Sequence, residues 1–135
     1  MWKEELGIDS TIASQEWATF LNTRQNGEYE VARHGWLGDY NDPISFLDMW
    51  VTGGGNNDAK YSNPLYDEQI AIVKSTDDRA TRYQAMHKAE DILMADMPIA
   101  PIYYYVDIFL KAENLEGFYS SPLGYKYFMY TSLKK

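Results

Sequence analysis

An α/β or α+β lobe built on a mixed sheet is the fold class that this sequence predicts, and three observations carry the prediction. Runs rich in β-branched and aromatic residues recur at Ile8–Gln15, Tyr29–Leu37, Ile99–Val106, Ile108–Ala112 and Leu123–Tyr130. Segments with apolar residues at helical spacing stand between them. The two kinds alternate along the chain, a pattern foreign to helix bundles and β-sandwiches. At 135 residues and 15.6 kDa there is room for one domain with a core of its own.

The elements follow in order. Met1 to Gly7 lacks the apolar stretch and cleavage site of a signal peptide and reads as the last turns of a helix closed by Gly7. Nothing upstream could cap or nucleate that helix, so a piece of a longer protein is expected. Ile8 to Gln15 alternates as a strand does. Trp17, Phe20, Leu21 and Arg24 share a helix face, and Asn26-Gly27 ends it. Tyr29 to Leu37 is a second strand, followed by a loop of turn-forming residues, Gly38-Asp39-Tyr40-Asn41-Asp42-Pro43. Ser45 is placed to cap a short helix through Trp50. Thr52 to Asn63 contains Gly53-Gly54-Gly55-Asn56-Asn57 and is expected to be a mobile surface loop. Pro64 opens a helix to about Lys74 at its first position. A longer helix follows to Pro98, with Thr76 as cap, Asp77 and Asp78 favouring its dipole, and Ala80, Tyr83, Met86, Ala89 or Glu90, Leu93 and Met97 on one face. The remaining runs are expected strands.

Twelve Lys and Arg against 20 Asp and Glu leave a net charge of −8, so no basic face can neutralise a phosphate backbone. Nucleic acid and anionic membrane are poor partners. No run approaches the roughly 18 apolar residues of a membrane-spanning helix. Zero cysteines exclude a disulfide scaffold, a thiol nucleophile and a thiolate zinc site. His34 and His87 are far apart and the second sits on a Lys- and Glu-rich helix, so neither a metal nor a cofactor is expected. The triple glycine lacks the Lys-Ser or Lys-Thr of a phosphate cradle. Aromatic residues reach 16%, with 12 Tyr, which suits either the wall of a recognition site or a half-buried sheet. Asp39 and Asp42 form the sharpest polar cluster. Two carboxylates three residues apart suit a cation, an acid and base pair, an ammonium group, or an Asx-turn that caps backbone amides. Residue types alone leave these open.

One combination narrows the choice: Asn22-Thr23-Arg24, then Ala32-Arg33-His34-Gly35-Trp36-Leu37-Gly38-Asp39-Tyr40-Asn41-Asp42-Pro43-Ile44-Ser45-Phe46-Leu47, with Gln15-Glu16-Trp17 before it and Pro101-Ile102-Tyr103-Tyr104-Tyr105-Val106 after it. From about Trp2 onward the chain resembles the C-terminal part of the oligopeptide-binding proteins of bacterial peptide ABC importers, solute-binding family 5. The resemblance implies the mixed-sheet lobe of a periplasmic-binding-protein type II-like fold, here a fragment of a two-lobed receptor. Residues 1–105 would belong to the second ligand-binding lobe, and 106–135 would form the hinge and a return segment of the first. It implies capture of an oligopeptide and delivery to a membrane permease, outside the cytoplasm, with the full-length protein anchored as a lipoprotein. It implies no enzyme activity.

The resemblance also assigns residues. Asp39 meets the peptide ammonium through charge-assisted hydrogen bonds. Backbone flanking Trp36, Leu37 and Gly38 pairs with the peptide main chain as an added strand would. Arg33 meets the carboxylate end of longer peptides. Tyr105 stands on the cleft wall, with Tyr103 on the same strand face and Tyr104 on the other. The same parity separates Arg33 from Trp36. His34 and Leu37 occupy places where members vary, and either tune selectivity or pack. The Asp39-Tyr40-Asn41 form resembles oligopeptide receptors more than dipeptide and nickel receptors. The alternatives are a relative carrying a dipeptide, nickel, haem or an oligosaccharide, or a small hydrolase using Asp39 and Asp42 as acid and base.

Overall fold

The computed structural model describes residues 1–135, which divide into two compact units, Met1–Arg33 and His34–Lys135. In the first unit, α1 spans Trp2–Leu6 and ends as expected at Gly7, whose φ of 70° is left-handed and whose N–H donates to the Lys3 carbonyl. Helix α2 spans Trp17–Asn26. The Glu16 carboxylate accepts from the N–H groups of Ala18 and Thr19, and Gly27, at φ 75°, closes the helix.

The core belongs to the second unit. Its framework is α4 (Pro64–Ser75) packed on α5 (Arg79–Asp96), with α3 (Ile44–Leu47) running into a 3₁₀ turn, Asp48–Trp50. Helix α4 buries Tyr66, Ile70 and Val73, spaced by four and three residues as one helix face requires. Helix α5 answers with Ala85, Met86, Ala89 and Leu93, and Ile44, Met49 and Trp50 fill the end. The small Ala85 and Ala89 let the helices approach, so the buried stripe follows them. Ala80, Tyr83 and Met97, expected on that stripe, are exposed instead. Asn63 caps α4 through the Leu65 N–H.

Three local expectations need correction. Asp78 rather than Thr76 caps α5: its carboxylate accepts from the Thr81 N–H, while the Thr76 hydroxyl accepts from the Asp78 N–H. Ser45 lies inside α3 and does not cap it; the Asp42 carboxylate takes the Ile44 N–H at 3.0 Å. The glycine-rich loop is knotted rather than loose. Its Asn57 is 4% exposed and donates to the carbonyls of Trp50, Val51 and Tyr61 while accepting from the Tyr61 N–H. One buried amide thus satisfies four backbone groups of the loop.

Strands are short. β1 (Leu115–Glu116) pairs antiparallel with β4 (Ser132–Leu133), and β2 (Tyr119–Ser120) with β3 (Lys126–Tyr127). Gly117 lies where a Cβ would run into the Tyr130 carbonyl. The expected strands at Ile8–Gln15, Tyr29–Leu37, Ile99–Val106 and Ile108–Ala112 form no ladder, and Leu123–Tyr130 contributes β3 alone. A helix satisfies its own backbone, whereas a strand needs a neighbour, and within these residues none lies alongside.

Candidate functional site

The segment from His34 to Asp39 leads from the unit's first residue to the loop before α3. Its side chains alternate: His34, Trp36 and Gly38 are half-buried, and Gly35, Leu37 and Asp39 are exposed. That is the period of a strand without its ladder. Inward contacts hold it instead. The Trp36 indole N–H donates to the Ser45 carbonyl at 2.8 Å, and the Asp39 N–H donates to the Ser45 hydroxyl, also at 2.8 Å. His34 Nε2 lies 3.9 Å from the Asp58 carboxylate, with its ring 5.6 Å from that of Trp50. A Cβ on Gly38 would come within 3.1 Å of the Phe46 ring, so this glycine allows the segment to lie close on α3.

These tethers leave the other side open. The backbone N–H and C=O groups of Gly35, Trp36, Leu37 and Gly38 take part in no hydrogen bond. Tyr105 comes back to this segment across 70 residues of sequence: its hydroxyl would lie 3.4 Å from a Cβ on Gly35. Tyr103 packs on Tyr105 edge to face at 5.2 Å, in keeping with their shared parity. Trp36 turns its ring toward the scaffold, so what it offers outward is main chain. Arg33 belongs to the first unit; it is exposed, and its carbonyl accepts from Arg24 Nη1 at 3.5 Å.

The two aspartates of the loop have different tasks. Asp42 is clamped by Arg82 of α5 through both oxygens, at 2.9 and 2.8 Å. The hydrogen bond from Arg82 holds the Asp42 carboxyl below its ordinary value of 3.8. Asp42 is therefore a turn and helix tie, the Asx-turn alternative of the four. The Asp39 carboxylate is exposed and makes no ion pair or hydrogen bond within the chain. Tyr40, between them, has its hydroxyl pushed up by burial and by the carboxylates of Asp48, Asp42 and Asp39. No cluster of three or more His, Asp or Glu side chains could hold a metal ion, and His87 is exposed on α5.

Sequence reasoning singled out Asp39 but gave Ser45 only a capping role and Asn57 only a place in a mobile loop, and it did not single out Asp58; all three hold the segment and its scaffold. Their partners lie 4 to 24 residues away in irregular structure, where no periodicity signals a contact.

Residues 1–58 match the family described as bacterial extracellular solute-binding proteins, family 5 Middle. The oligopeptide-binding protein OppA of Bacillus subtilis is 38% identical over 95% of the chain, and the periplasmic oligopeptide-binding protein OppA of Salmonella typhimurium 43% identical over 87%. The chain spans 24% and 22% of those two relatives. Among solved structures, Haemophilus influenzae OppA in complex with RPPGFSPFR superposes with a TM-score of 0.78 at 39% identity, over 86% of this chain and 23% of that one. These likenesses support the mixed helix and sheet content of the expected α/β fold. By sequence and by fold, the chain resembles about a quarter of an oligopeptide-binding protein of the family-5 bacterial solute-binding proteins.

Proposed function

We propose that this chain supplies part of the ligand-binding lobe of an extracytoplasmic receptor that captures oligopeptides and passes them to the permease of an ABC importer. The relatives named as oligopeptide-binding proteins support the ligand class. The observation that carries the reading is the exposed, unpartnered Asp39 carboxylate at the end of a main-chain segment with no ladder. Every peptide offers an α-ammonium and a row of backbone amides. A carboxylate that becomes enclosed on binding recognises the first, and open N–H and C=O groups recognise the second.

In this reading Asp39 anchors the ammonium, and Trp36, Leu37 and Gly38 pair through their backbone. Arg33 meets a terminal carboxylate, and Tyr105 lines the wall. Residues 1–105 belong to one lobe, and 106–135 to the hinge and the return segment. The full-length receptor is held at the membrane as a lipoprotein and performs no catalysis. Asp42, committed to Arg82, is unsuited to serve as the base of a hydrolase pair.

Isothermal titration of the complete receptor with one tripeptide, once with a free N-terminus and once acetylated, tests the proposal. Heat from the free form alone is the expected result, and Asp39→Ala should then cost about 2 to 5 kcal/mol of binding. Equal binding of both forms would remove Asp39 from the anchor role. No binding of either would point to another ligand class.

A further inference from the structure

The Gly53-Gly54-Gly55-Asn56-Asn57 run stands out in the sequence, and peptide recognition as described gives it no task. Its geometry is restrictive. A Cβ on Gly54 would approach the Met49 and Val51 carbonyls to 3.0 and 3.1 Å, and Asn57 ties the loop to Trp50, Val51 and Tyr61. The next residue, Asp58, is held at 6% exposure with its N–H donating to the Asn56 carbonyl at 3.0 Å. A carboxylate so enclosed is costly unless polar or cationic groups face it, and His34 Nε2 stands 3.9 Å away.

His34 is the first inward-turned residue of the segment whose outward side presents Leu37 and Asp39. In a sheet, ladder bonds on both flanks would fix where those outward groups point. Here the fixing falls to contacts on the inner side, at His34, Trp36 and the Asp39 N–H. Trp36 and Asp39 both lean on Ser45, so His34 supplies the independent tether, reaching a different element. We propose that His34 and Asp58 form a positioning pair, through which the glycine-rich loop sets the register of the recognition segment and hence the aim of the Asp39 carboxylate. His34 touches no ligand in this scheme; it acts from behind. The inference rests on the peptide-receptor reading above.

The test uses the complete receptor carrying His34→Ala, Asp58→Asn, both together, or His34→Gln, titrated with trialanine in free and N-acetylated forms. Each single variant should weaken binding of the free tripeptide about tenfold. The double variant should lose no more than either single, and the preference for the free over the acetylated form should shrink in all three. His34→Gln, which retains a side-chain N–H, should restore most of that preference. A merely structural role would lower the melting temperature and leave the preference intact. Unchanged affinity and preference in the single variants, or a double variant that loses the product of the two, would overturn the pair. Asp58→Asn keeps the shape of the side chain, so it decides the matter should His34→Ala fail to fold. If the unaltered receptor does not bind the tripeptide, the peptide reading falls and this inference falls with it. If it binds and the variants match it, the pair alone is refuted.

Discussion

The α4–α5 pair and the run from Ile102 to Leu110 are both rich in apolar residues, yet they have opposite fates in the same molecule. Tyr66, Ile70, Ala89 and Leu93 are at most 2% exposed, whereas Ile102, Tyr104, Ile108 and Leu110 are at least 85% exposed. Hydrophobicity does not separate them; backbone bookkeeping does. Each helix closes its own hydrogen bonds and can then bury a face against a neighbour close in sequence. An extended run closes none of its own backbone hydrogen bonds until another strand arrives. The lesson is that a helix pair completes its core within a local stretch of chain, whereas an extended run stays exposed unless a neighbour lies alongside.

Substitutions can sharpen or break this contrast. Leu93→Ala, on the buried face of α5, should cost about 2 to 5 kcal/mol of stability in urea unfolding monitored by circular dichroism. A loss under 1 kcal/mol, on the order of a surface change, would deny that the helices carry the fold. Asn57→Ala should cost about 1 to 3 kcal/mol by the same measurement, because it strands buried carbonyls and an N–H group in the loop.

Asp42→Asn should cost about 0.5 to 1 kcal/mol, the scale of a partly exposed ion pair. Its effect has a pH signature. The Asp42 carboxyl titrates lower in the folded state than in the unfolded one, so its contribution is fully present above the ordinary value of 3.8 and drains away as pH falls through the lower, folded-state value. The stability difference between the unaltered protein and Asp42→Asn should therefore close in acid. A gap that persists at low pH would assign the loss to packing. Smallest of all, Tyr104→Ser should alter stability by less than about 0.5 kcal/mol. Hydrogen exchange should show α4 and α5 protected and residues 102–110 close to unprotected. Protection in that run would reveal a strand neighbour, and the contrast would collapse.

The helices were readable because their signals are local. Pro64 at a first turn, Gly7 and Gly27 at helix ends, and the helical spacing of Trp17, Phe20, Leu21 and Arg24 need no knowledge of the rest of the molecule. Which of two good caps wins is harder: Thr76 and Asp78 stand two residues apart, and the hydroxyl of one is spent on the N–H of the other. Most runs expected to be strands form no ladder, because a propensity states what a segment tolerates and not whether a partner is present. In the candidate site, the motif around Asp39 was visible. The division of labour between Asp39 and Asp42 was not, since it depends on Arg82, 40 residues downstream. Ser45 looked like a cap because serine usually is one; its tertiary use as a double anchor overrides that preference.

The buried phenols give the scaffold an optical signature. Tyr66 is wholly enclosed and donates its hydroxyl to the Leu47 carbonyl, and burial pushes its ionisation far into alkali. Tyr61, partly buried and bonded to Asp96, is pushed up to about 12. In an ultraviolet titration, the tyrosinate absorbance of Tyr61 should therefore rise only near 12, above its ordinary value of 10. Tyr66 should gain its absorbance in the same step in which the helices come apart.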